Sequence, residues 1–186
     1  MAGRCPYSCE EDPYTCEEDP YICEEETMAE HTAPTADMTG AEIAGIGLRG
    51  IDHIGVAVAD LDQGIEFYQR VFGMRCEHTE ENAEQGVREA MMSFGPDAPG
   101  RVQLLAPLSR SSPIARFLDR SGPGIQQVAY TVTDLDATCA ELRCRGVRLL
   151  YQGPRRGTAG SRVNFVHPRD AGGVLVELVE PPAAAG

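Results

Sequence analysis

Ile51-Asp52-His53-Ile54-Gly55-Val56-Ala57-Val58-Ala59-Asp60-Leu61-Asp62 is answered 74 residues later by Ile125-Gln126-Gln127-Val128-Ala129-Tyr130-Thr131-Val132-Thr133-Asp134-Leu135-Asp136. Val102-Gln103-Leu104-Leu105-Ala106-Pro107 and Val176-Glu177-Leu178-Val179-Glu180-Pro181 stand at the same separation. Two pairs of segments sharing one offset imply two copies of one supersecondary unit. Each copy opens with an alternating strand, in which Ile54, Val56 and Val58 face one side and His53, Gly55 and Ala57 the other. A helix follows. In the first copy Asp60 is its N-cap, Leu61, Ile65, Tyr68 and Phe72 keep helical spacing, and Gly73 ends it. In the second the same parts are Asp134, then Leu135, Cys139 and Leu142, then Gly146. Three strand-like stretches come next, at 74–80, 87–94 and 101–106 in one copy and 147–151, 162–167 and 174–179 in the other. The reading is an α+β fold of two βαβββ modules, about residues 50–107 and 124–181. Ser112 and Pro113 open a short linking helix between them.

Outside this repeat the composition changes. Residues 1–50 hold twelve acids and two arginines, which is −10 of the chain's net −13. Within them a PYxCEE unit followed by an acid occurs three times, from Pro6, Pro13 and Pro20. A proline every seven residues prevents a continuous helix, and adjacent carboxylates with little apolar surface cannot offset the entropy of ordering. Residues 1–45 are therefore expected to be a disordered acidic tail, ahead of one folded domain over residues 48–182. Cys5, Cys9, Cys16 and Cys23 lie in the tail, but without the paired C-x2-C spacing of a zinc site. All sixteen basic residues are arginine. The acidic balance argues against nucleic acid as a partner. No apolar run is long enough to cross a bilayer, so no membrane partner is expected. The first residues lack a secretory pattern, so a cytoplasmic protein without disulfides is expected.

The strand alternation puts four polar side chains on the face away from the helices: His53 with its repeat partner Gln127, and Gln103 with its partner Glu177. Gly55, Ala57, Ala129 and Thr131 beside them are small and leave room for a ligand. Converging polar groups need partners or they cost stability. A divalent metal ion is the economical partner.

IDHIGVAV, EENAEQGVREAMM, VQLLAP, SPIARFL, GVRLLYQGPRRGTAGSRVNFVHP and GGVLVELVEP together resemble the vicinal oxygen chelate (glyoxalase-like) superfamily and, within it, the methylmalonyl-CoA epimerase family. The resemblance spans residues 51–181 and none of the tail. It implies metal ligands at His53, Gln103, Gln127 and Glu177, and catalytic bases at Glu89 and Glu177. The implied cofactor is a divalent ion: Co²⁺, or Mn²⁺, Mg²⁺ or Zn²⁺. The implied substrate is an acyl-CoA, methylmalonyl-CoA or a close 2-alkylmalonyl-CoA, epimerised at C2, and the implied assembly is a homodimer. Position 127 departs from the family pattern, which usually has histidine there; an amide oxygen is a weaker and harder donor than imidazole. Glu89 has Val163 as its repeat partner, so the duplication built the cradle and Glu89 breaks its symmetry. Arg155, Arg156 and Arg162, in the glycine-rich run Gly153–Arg162, suit the phosphates of coenzyme A. The competing readings are a non-catalytic acyl-CoA or small-molecule binding module of the same fold, and a glyoxalase-type isomerase. The second is disfavoured by Gln103, which stands where glyoxalases usually place an acid.

Overall fold

The computed structural model describes residues 45–96 and 98–183; the tail expected over residues 1–45 lies outside them but for its last residue. The first module runs β1 (Leu48–Ala57), α1 (Leu61–Phe72), β2 (Arg75–Asn82), β3 (Val87–Ser93) and β4 (Val102–Pro107). The linking helix α2 spans Pro113–Ser121. The second module runs β5 (Gly124–Val132), α3 (Leu135–Cys144), β6 (Arg155–Arg156), β7 (Arg162–Val166) and β8 (Leu175–Glu180).

The helix signals act as read. Asp60 Oδ1 accepts the Gln63 N–H at 3.0 Å and Asp134 Oδ1 accepts the Ala137 N–H at 2.9 Å. Gly73 closes α1 at φ +67°, and Ser112 caps α2 with Pro113 at its first position.

The strands form one mixed sheet in the order β2-β3-β4-β1-β5-β8-β7-β6. That order reads the same from either end in module terms. The two halves do not form separate facing sheets. They join edge to edge, because β1 and β5 pair antiparallel with Gly55 opposite Gln127 and His53 opposite Ala129. The sheet then curls. Asn82 and Gln85 donate to the Arg156 carbonyl, and the Ala159 N–H donates to Glu80 Oε2 at 3.1 Å, so its two far edges meet.

The period-two alternation sorts side chains between the faces. Leu61, Met74, Ala90, Met92 and Leu104 pack under α1, and Val132, Leu135, Cys139, Leu142 and Leu178 pack under α3. The concave face takes the alternate positions: His53, Glu89, Gln103, Gln127 and Glu177, each under 7% exposed. Near α2 that face is floored by Ala57, Val87, Leu105 and Ile114.

One expected strand is corrected. Residues 147–151 form no strand, only a bridge from Leu149 to Val166. Backbone bonds flank that bridge, from the His167 N–H to the Arg148 carbonyl and from the Leu150 N–H to the Phe165 carbonyl. At Tyr151 the buried Asn164 side chain replaces the ladder, accepting the Tyr151 N–H and donating to the Tyr151 carbonyl. Gly153 and Pro154 then turn the chain, and strand pairing resumes only at Arg155–Arg156.

Candidate active site

His53 projects from the middle of β1 and is held from behind. Its Nδ1 lies 2.8 Å from Asp52 Oδ1. Asp52 also accepts from Arg101 at 2.5 Å and from the Thr131 hydroxyl at 2.9 Å. Burial pushes the Asp52 carboxyl up, but His53, Thr131 and Arg101 outweigh it and hold Asp52 below the usual carboxylate range. The other imidazole nitrogen, Nε2, is buried without a hydrogen bond, 3.2 Å from Glu177 Oε2. Burial pulls the His53 pKa down, yet Asp52 and Glu177 raise it to about 9.

The remaining groups form one hydrogen-bonded chain across the sheet. Glu89 Oε2 accepts from Gln103 Nε2 at 2.9 Å, and Glu89 Oε1 accepts from the Thr158 hydroxyl at 2.8 Å. Gln103 Nε2 also reaches the Thr158 oxygen at 2.7 Å. Gln127 Nε2 donates to Gln103 Oε1 at 3.3 Å and to Glu177 Oε2 at 2.6 Å. Glu89 is 2% exposed. Burial, with Glu80 and Glu177 nearby, lifts its pKa from 4.5 to about 7 against the Thr158 hydrogen bond.

His53, Gln103, Gln127 and Glu177 are thus brought together, with Glu89 at the end of the same chain. They fit a divalent ion: an imidazole nitrogen with no hydrogen bond, a carboxylate and two carboxamides. Among the described residues no three His, Cys, Asp or Glu side chains are grouped so that they alone could hold a metal ion; half of this cage is amide. A cleft of about 160 Å³ opens beside His53 and Glu177, with Met91, Arg101 and Thr158 in its wall. A second, of about 230 Å³, adjoins Gln127 and is walled by Leu105, Ile114, Tyr151, Phe165 and Leu175.

The three arginines divide. Arg155 pairs with Glu84 at 3.1 Å and lies over the Tyr151 ring, and Arg156 stands 3.7 Å from Glu80, both where the sheet edges meet. Arg162 is on the helix side, bound to Asp136 and Glu180 at 2.6 and 2.7 Å. Its repeat partner Arg88 makes the same link to Asp62 at 2.9 Å. Sequence reasoning missed Asp52 and Thr158. The signal for Asp52 was its place next to a candidate ligand; Thr158 sits in a loop, where no periodicity points inward.

The sequence profile of the glyoxalase/bleomycin resistance protein/dioxygenase superfamily matches residues 52–165. The ethylmalonyl-CoA/methylmalonyl-CoA epimerase of Cereibacter sphaeroides is 34% identical over 130 residues, 69% of this chain and 95% of that one. The chain belongs to the methylmalonyl-CoA epimerase family. The crystal structure of the Mycobacterium tuberculosis epimerase superposes with a TM-score of 0.72 at 56% identity, covering 77% of this chain and 97% of that one. Another epimerase of the family, solved in complex with methylmalonyl-CoA and NH4⁺, gives 0.71 at 44% identity, covering 75% and 99%. Epimerases of this family are metal-dependent in general.

Proposed function

We propose that the chain interconverts (2R)- and (2S)-methylmalonyl-CoA, or a close 2-alkylmalonyl-CoA, by two-base proton transfer at C2, with Glu89 and Glu177 serving opposite faces. The observation that carries this is Glu89: a buried carboxyl with a pKa of about 7, hydrogen-bonded into the chain that ends at Glu177. A base poised near neutral pH suits proton abstraction from carbon. Glu89 takes the proton from one face of C2, leaving an enolate. Glu177 is the acid/base group through which a proton is returned to the opposite face; the other isomer runs the steps in reverse. A divalent ion held by His53, Gln103, Gln127 and Glu177 would supply Lewis-acid stabilisation of the charge that develops on the thioester oxygen. Thr158 and Gln103 fix the Glu89 carboxylate, and Asp52 fixes the His53 ring. Arg155 and Arg156, both substantially exposed, meet the phosphates of coenzyme A by giving up surface ion pairs that are worth little.

The protein works in the cytoplasm as a homodimer on this reading. No described helix is long and apolar enough to span a membrane. Phe67, Val71 and Phe72 on α1, with Ile51 and Ile125, offer apolar surface for self-association. Incubation with methylmalonyl-CoA in D₂O, with and without chelator, tests the activity. Chelator-sensitive deuterium uptake at C2 is expected. Tight binding without uptake would make the chain a binding module instead.

A further inference from the structure

The four corners of the cage are not equally prepared. Gln103 is fixed: its NH₂ is held by Glu89 at 2.9 Å and Thr158 at 2.7 Å, so its carbonyl oxygen faces the centre. Gln127 is turned the other way. Its NH₂ donates to Glu177 Oε2 at 2.6 Å and to Gln103 Oε1 at 3.3 Å, lying between two acceptors that a cation would bridge. A carboxamide carries a hard oxygen at its other corner, and half a turn of the terminal amide exchanges the two. Gly55 gives this side chain its place: a Cβ there would fall 2.5 Å from Gln127 Cγ. Through the repeat Gln127 occupies the position of His53, so one half of the cradle offers nitrogen where the other offers an amide.

We infer that Gln127 sets the ion selectivity of the cage: its NH₂ stands in for the cation in the metal-free chain, and its carbonyl turns inward when an ion binds. This rests on the reading of the four side chains as a metal cage. The bound set is then one imidazole nitrogen and three oxygens. Such a set shifts preference from Co²⁺ and Zn²⁺, which suit imidazole, toward Mn²⁺ and Mg²⁺, which suit oxygen. The Gln127–Glu177 hydrogen bond must also be given up, which weakens binding of every ion alike.

Equilibrium dialysis of the full chain against Mn²⁺ and Co²⁺, compared with Gln127→His, tests this without reference to turnover. The ratio of Co²⁺ to Mn²⁺ affinity should rise on the order of tenfold in the variant. An unchanged ratio, with both proteins binding, overturns the role of Gln127 and leaves the cage standing. Binding left unweakened by His53→Ala combined with Glu177→Ala places the ion elsewhere, and the cage reading falls together with this inference. X-ray absorption on Co²⁺-loaded wild type needs no variant: one imidazole with oxygen neighbours is expected, and two imidazoles would overturn it.

Discussion

At the scale of single residues the site is a contest between burial and charge. Glu89 bears the cost most directly, since its carboxylate is buried and its proton is held up to a pH of about 7. Glu89→Gln should abolish deuterium exchange at C2, a loss of at least about 100-fold, while leaving metal content intact. Exchange at the wild-type rate would exclude Glu89 as the base. The same substitution should stabilise the metal-free fold at pH 8 but not at pH 4, by up to about 3 kcal/mol. The folded state keeps the Glu89 proton between pH 4.5 and about 7 where the unfolded chain has released it, so the native carboxyl takes stability away as pH rises through that window. Urea midpoints at the two pH values read this out. Asp52 works on His53 rather than on substrate. Asp52→Asn should lower the His53 pKa from about 9, seen in the imidazole proton resonances, and cut metal affinity 10–100-fold. Of these groups His53, Gln103, Gln127 and Glu177 were legible in the sequence because alternation and the repeat set them on one face. Asp52 and Thr158 were not, because their contacts bridge elements with no common period.

At the scale of elements the repeat explains more than the topology. The caps Asp60 and Asp134 are equivalent, and so are the links Arg88–Asp62 and Arg162–Asp136, each tying the third strand of a module to the first turn of its helix. An ion pair duplicated in both modules reads as a strut, whatever its place in an arginine-rich loop. Arg162→Ala should therefore leave KM for the acyl-CoA unchanged, whereas Arg155→Ala combined with Arg156→Ala should raise it with kcat preserved. A rise in KM for Arg162→Ala would return that residue to the substrate. Strands, helices and their order were readable because each copy confirmed the other. The failed strand at 147–151 shows where that support ends. Periodicity favours a strand there, yet the deciding partner is the amide of Asn164, thirteen residues away from Tyr151. Backbone pairing lasts only through Leu150, and a side chain that ends it at Tyr151 leaves no period to detect.

At the scale of the molecule, the cage is where the two modules are joined chemically: His53 and Gln103 come from the first, Gln127 and Glu177 from the second. Without an ion, the charge of the protonated His53 ring fills part of this role, with Asp52 at Nδ1 and Glu177 3.2 Å from Nε2. Its folded pKa is raised from 6.5 to about 9, so its contribution is whole below pH 6.5 and is lost as pH climbs to about 9. Glu89 acts in the same sense at lower pH, and His167, pulled down by burial and Arg148, works weakly against both. The metal-free protein should accordingly lose thermal stability from pH 5 to pH 9. An ion needs the neutral imidazole and displaces that proton, so its stabilisation should grow over the same range. At a free concentration near one hundred times Kd the gain is about 2.7 kcal/mol. Melting curves with EDTA and with saturating Mn²⁺ should thus diverge as pH rises, and Glu177→Ala should shrink the difference. Curves that stay parallel from pH 5 to pH 9 would mean that the ion and the His53 proton do not compete for one place.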